Sequence, residues 1–190
     1  MFERGFKSWC ETIAIQQRKE LGLQPVDPLD SRRLAESLEV IVWDAHEVPL
    51  LDSQTLNVLT KDDPDSWSAV TLRDGGKDLV ILNPTHSRGR ASSNLMHELS
   101  HILIGHDAVR VDITPDNLLM LSTYDKKQEG EADWLAGCLL LPRPALMHIR
   151  NSRMDPTVVR KVYGVSDDMF DYRMKMTGVD RQFSRARTYK

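Results

Sequence analysis

The residues that could do chemistry gather in one short run, His97-Glu98-Leu99-Ser100-His101. Placed on an α-helix, His97 and His101 lie about 40° apart in azimuth and one turn apart along the axis. Two imidazoles so placed can grip a single Zn²⁺, each at about 2.0–2.1 Å. Glu98 falls about 60° beyond His101 on the same flank. That sets it beside the metal, where a carboxylate can take a proton from a water held there. Leu95, Leu99 and Ile102 fall near the opposite side of the wheel. One face is suited to a metal and the other to a core. A chance pairing of histidines and glutamate is the bland alternative. It is disfavoured because unpaired His and Glu are costly to bury in an otherwise apolar helix.

Catalytic zinc commonly takes three protein ligands and leaves a position for water. A third histidine in the pattern HExxHxxGxxH would mark a metzincin. Here the run continues Ile102-Leu103-Ile104-Gly105-His106, with the glycine and last histidine at the wrong spacing. His106 would point away from the zinc face of a continuing helix, so it is read as an exposed residue near the helix end. The third ligand is sought instead in Gln128-Glu129-Gly130-Glu131-Ala132-Asp133. Glu129 and Asp133, spaced i, i+4, share a face with Ala132 and Ala136. The alanines allow the close approach that a short glutamate side chain needs. Glu129 is preferred as ligand, and Asp133 is placed behind it to accept the free ring N–H of a ligating histidine. Glu131 points to the other side in this registration, as a first-turn carboxylate favoured by the helix dipole. Spacing alone leaves the choice between Glu129 and Glu131 open.

Two helices must position these groups. The first is expected from Arg88 to Ile104, with Gly105 as its stop. The second is expected from Lys127 to Leu141, ended by Pro142 and Pro144. Ahead of them, Phe2, Phe6, Trp9, Cys10, Ile13 and Ala14 recur at helical spacing, with Trp9 in the core and Gly22 as the stop. Asp27-Pro28 reads as an N-cap and N1 opening a helix through Leu34, Ala35 and Leu38. Val40 to Trp43 reads as a strand, and a short helix is expected near Leu56 to Leu59, before a loop from Lys61 to Asp65. Ser68 to Leu72 and Asp78 to Leu82 flank Asp74-Gly75-Gly76 as a hairpin. Past a less regular stretch with turn signals at Pro115 and Asn117 and the second helix, the tail shows a short piece near Leu146, then helices over Asp155 to Tyr163 and Ser166 to Met176. The class is α+β, with a short antiparallel sheet packed on the active-site helix. The division expected is a core over 1–145 and a helical appendage over 146–190.

With 190 residues, 41% hydrophobic and 28% charged, the chain has the composition of a globular domain able to bury a core. No apolar run is long enough to span a membrane. No signal-peptide stretch follows the first residues. Cys10 and Cys138 form no CxxC, which argues against a disulfide framework or a cysteine zinc site. The expected compartment is the cytoplasm. The net charge of −3 is uneven, with 11 Lys/Arg against 5 Asp/Glu from Arg143 to Lys190.

These stretches together resemble the ImmA/IrrE family of zinc metallopeptidases. The resemblance rests on His97-Glu98-Leu99-Ser100-His101-Ile102-Leu103 and on Glu129-Gly130-Glu131-Ala132-Asp133-Trp134-Leu135-Ala136, followed by Leu139-Leu140-Leu141-Pro142. The second stretch is similar to the family's Glu-x-Glu-Ala helix with its Leu-Leu-Met-Pro ending. Glu20-Leu21-Gly22-Leu23, Leu34-Ala35 and Val80-Ile81-Leu82-Asn83-Pro84 extend the likeness, so it runs from about residue 12 to 178. Ser92-Ser93-Asn94-Leu95-Met96 departs from the family's usual Arg-Phe-Thr-Leu-Ala before the motif. A zincin-like core is implied, holding Zn²⁺ through His97, His101 and Glu129, with Glu98 as general base. An intracellular protease cleaving a helix-turn-helix repressor is also implied. Tyr124, His86 and His148 are candidates to stabilise the oxyanion.

Two other functions compete. The cadence from Asp155 to Gly178, with Gly164-Val165-Ser166 at the turn, suggests a helix-turn-helix. Its second helix would offer Asp167, Asp168 and Asp171, which phosphates repel, so direct DNA binding is disfavoured. A metal-bearing module could instead sequester a repressor without cutting it. The intact Glu98 speaks against that, since metal binding alone needs no carboxylate there.

Overall fold

The structure is a computed structural model, and it describes residues 2–49, 51–106, 111–113, 119–121 and 125–179. It is mixed α and β. A three-stranded sheet is built from β1 (Ile41–Asp44), β2 (Ala69–Asp74) and β3 (Lys77–Leu82), in the order β1-β3-β2. β1 runs parallel to β3, pairing Val42 with Val80, so the expected antiparallel sheet is instead mixed, because the chain passes through α3 and β2 before β3 returns beside β1. β2 runs antiparallel to β3, pairing Thr71 with Val80. The β2–β3 turn is Gly75-Gly76, both with positive φ (55° and 81°), the backbone that a two-residue hairpin turn demands.

Helices cover this sheet. α1 (Phe6–Glu20), α2 (Ser31–Ser37) and a one-turn α3 (Ser53–Asn57) precede the hairpin, and α3 continues into a π turn over Val58–Asp62. α4 (Arg88–Ile104) packs on β2 and β3, while α5 (Lys126–Leu140) lies against both α4 and α1. Between them β4 (Val111–Ile113) and β5 (Leu119–Leu121) pair antiparallel, a ladder that the sequence reading missed. α6 (Arg143–Asn151), α7 (Pro156–Tyr163) and α8 (Asp167–Thr177) complete the described chain. No helix among the described residues is long and apolar enough to cross a membrane.

The core is where α4, α5 and β3 meet. Leu95, Met96 and Leu99 of α4, Leu135, Cys138 and Leu139 of α5, and Val80 of β3 are all buried. α4 starts where the Ser87 hydroxyl accepts from Arg90 N and stops at Gly105, whose φ of 81° turns the chain. α5 starts on Asp125, whose carboxylate accepts from Lys127 N at 2.8 Å.

Two fully buried arginines fix the far end of α5. Arg18 of α1 donates to Leu139 O at 2.7 Å, and Arg173 of α8 donates to Leu141 O and to the Glu11 carboxylate. The last carbonyls of a helix lack partners within it, and cations there also oppose the helix dipole. Buried guanidinium groups therefore set the position of the helix that carries Glu129.

Two local expectations are corrected. The N-cap of α2 is Asp30, accepting from Arg33 N at 3.0 Å. Asp27 instead accepts from Gln24 N at 2.7 Å, closing a turn before Pro28. Trp9 is 39% exposed and stacks on Phe6 rather than entering the core, where Cys10 and Ala14 of the same helix are fully buried. The departure before the motif also acquires a reason. Ser92 and Ser93 are small enough for α2 and the α7–α8 turn to pack on α4, through Ser31 Oγ to Ser92 Oγ at 3.2 Å and Ser166 N to Ser93 Oγ at 3.3 Å.

Candidate metal centre

α4 and α5 bring His97, His101 and Glu129 together. His97 Nε2 stands 3.1 Å from His101 Nε2 and 3.2 Å from Glu129 Oε2, and His101 Nε2 is 3.5 Å from Glu129 Oε1. Ligands held tetrahedrally at about 2.0–2.1 Å from one ion stand about 3.3 Å apart. The two ring nitrogens and the Glu129 carboxylate, which turns one oxygen to each of them, therefore form a triangle of groups at the spacing that one metal ion would require.

The outward nitrogens of both rings are engaged. His97 Nδ1 lies 2.9 Å from Asp133 Oδ1. A carboxylate only accepts, so the ring donates from Nδ1 and turns Nε2, its other nitrogen, towards the centre. Burial opposes charging of His97, but the hydrogen bond to Asp133 and the charges of Asp133, Glu98 and Glu129 outweigh it and raise its pKa. His101 goes the other way. Burial, together with the charges of His97 and His106, pushes it down to about 4, so its ring is neutral. Neutral imidazole is the ligating form.

Glu98 sits beside the triangle. The Thr71 hydroxyl on β2 donates to Glu98 Oε2. Burial raises the carboxyl above its ordinary range, and nearby Glu129 adds to this, while the Thr71 bond and His97 oppose it. A half-buried carboxylate with a raised pKa, held at one oxygen, is suited to accepting a proton. Thr71 was missed in the sequence, because nothing in a strand pattern shows which residue will face a helix 27 positions later.

His106 requires a correction. It is buried, not exposed. α4 ends at Gly105, and the chain folds back so that His106 N donates to His101 O at 3.0 Å. Its Nδ1 then lies 2.9 Å from His101 Nδ1, and its Nε2 lies 3.3 Å from Glu131 Oε2. Glu131 is buried too, and it meets His106 rather than the triangle. A glycine stop directly followed by histidine was the available signal, since a left-handed cap reverses the direction in which the next side chain points.

Of the three oxyanion candidates, Tyr124 lies outside the described residues. His148 is exposed on α6. His86 accepts from the Asn94 side-chain amide N–H through Nδ1 at 3.0 Å and lines a separate cleft with Asp44 and His46. A second acidic cluster, Asp44, His46 and Glu47, is already committed. Asp44 pairs with Arg32 at 3.0 Å, and Glu47 accepts from Asp44 N at 2.7 Å.

The chain matches the family described as the IrrE N-terminal-like domain, Peptidase M78, over residues 54–175. It belongs to that family. The match begins in α3, ends in α8 and includes every residue of the centre just described. Membership in Peptidase M78 gives the chain a metallopeptidase-type function and agrees with the mixed α and β core. No curated protein and no solved structure matches the chain.

Proposed function

We propose that the chain is a zinc-dependent endopeptidase that cleaves a helix-turn-helix transcriptional repressor and so relieves repression. The observation that carries this reading is the convergence of His97 Nε2, His101 Nε2 and a Glu129 oxygen, with Glu98 alongside. Two imidazoles and one glutamate are a recurrent ligand set of catalytic zinc. Bound there, the ion supplies Lewis acidity to the scissile carbonyl and lowers the pKa of an attacking water.

The remaining work falls to side chains. Glu98 accepts the proton of the attacking water and returns it to the leaving amine. Thr71 holds one oxygen of that carboxylate, so the proton is taken at the other. Asp133 holds the His97 ring by its Nδ1–H and so keeps Nε2 free for ligation. The repressor as substrate rests on the resemblance to ImmA/IrrE peptidases, and a cytoplasmic setting is part of the same proposal. Free Cys10 and Cys138 agree with a reducing compartment.

Incubating the zinc-loaded protein with a repressor encoded beside it, followed by mass spectrometry, tests the reading. The wild type should give two fragments, and Glu98→Gln should bind zinc yet cut about 10²–10⁴ times more slowly. Near wild-type cutting by Glu98→Gln would overturn the mechanism. An intact repressor held in a stable complex would establish sequestration instead.

A further inference from the structure

We propose that His106 and Glu131 are positioning residues that fix which nitrogen of His101 faces the metal. The inference rests on the reading of His101 as a ligand. His101 Nδ1 and His106 Nδ1 lie 2.9 Å apart, so one of the two carries the shared proton. The far end of the chain decides which. Glu131 can only accept, and its Oε2 lies 3.3 Å from His106 Nε2, so that nitrogen carries a hydrogen. With its hydrogen on Nε2, His106 turns Nδ1 to His101 as the accepting nitrogen. That atom accepts from His101 Nδ1–H, which leaves His101 Nε2 bare and aimed at His97 and Glu129. With the opposite tautomer, His101 would point an N–H at the centre and could not ligate.

The setting favours this assignment. The side chains of His106 and Glu131 are only 7% and 11% exposed, whereas that of Asp133, the partner of His97, is 60% exposed. Hydrogen bonds in a low-dielectric interior are stronger, and leaving one unmade there costs more. Lys127 Nζ stands 3.7 Å from Glu131 Oε1 and holds the carboxylate from its other side. The left-handed turn at Gly105, with the bond from His106 N to His101 O, fixes the spacing of the two rings at 4.9 Å. The two ligating histidines are thus held differently, one by an open carboxylate and the other by a buried imidazole–carboxylate pair.

The test is zinc affinity by chelator competition, with the Co²⁺ d–d spectrum as a second readout, on wild type, His106→Ala, His106→Asn and His101→Ala. His106→Ala should weaken zinc by about 10–100-fold and shift the cobalt bands, as expected when the partner of a ligand is removed. His106→Asn, whose amide oxygen can accept near the position of Nδ1, should recover most of the affinity and the wild-type spectrum. The thermal midpoint of the metal-free variants separates packing from ligation. Equal loss of affinity in His106→Ala and His106→Asn, following their metal-free stabilities, would overturn the relay in favour of a packing role. Wild-type affinity and spectrum in His106→Ala would overturn it outright. Wild-type zinc affinity in His101→Ala would instead overturn the metal reading beneath it.

Discussion

Removing the Asp133 carboxylate isolates the contact that orients His97. The Asp133 side chain meets His97 Nδ1 at 2.9 Å and touches the site through that ring. Loss of such a partner typically weakens metal binding by about 10–100-fold. That range corresponds to about 1.4–2.7 kcal/mol. Because Asp133 is 60% exposed, solvent screens its charge, and the lower end, about tenfold, is expected. Asp133→Ala should therefore bind zinc about ten times more weakly, measured by competition with a chromophoric chelator at fixed pH and salt. Asp133→Asn retains an oxygen that can accept from Nδ1 but lacks the charge that raises the basicity of His97, so it should fall between the two. Unchanged affinity and unchanged cleavage in Asp133→Ala would show that Asp133 does not orient His97. They would also weaken the assignment of Glu129, which lies one turn earlier on the same face of α5.

Thr71→Val removes a hydrogen bond that favours the charged form of Glu98. Activity needs that carboxylate ionised, so it rises as pH passes upward through the Glu98 pKa. The acid limb of the kcat profile should then move to higher pH in the variant, and an unmoved limb would detach Thr71 from catalysis. Gly89→Ala tests how α4 is seated, because an added Cβ would stand 2.8 Å from Val165 O. A loss of about 1–3 kcal/mol on chemical denaturation is expected, and an unchanged midpoint would show that the α7–α8 turn yields freely.

Much of this architecture could be read before any coordinates. α4 runs from Arg88 to Ile104 as its periodicity and Gly105 require, and the glycine pair marks the β2–β3 turn. His97, His101 and Glu129 share a small volume because helical spacing is a local property that sequence expresses directly. What escaped depends on contacts between distant segments. Arg18 carries no mark of its role in the sequence until α1 is laid on the C-terminus of α5, 121 residues away. Thr71 reads as any strand residue until β2 meets α4. The role of His106 escapes a helical wheel because the left-handed Gly105 breaks the helix just before it. The role of Glu131 is hidden with it, since its partner His106 lies past that break.

If His97, His101 and Glu129 jointly hold a zinc ion, that ion sits between α4 and α5. Anomalous diffraction from crystals of the zinc-loaded protein, recorded on either side of the zinc absorption edge, tests it most directly. One peak is expected about 2.0–2.1 Å from His97 Nε2, His101 Nε2 and a Glu129 oxygen. A peak ligated by Glu131 or His106 in place of Glu129, or no peak between α4 and α5 at full zinc loading, would contradict the account.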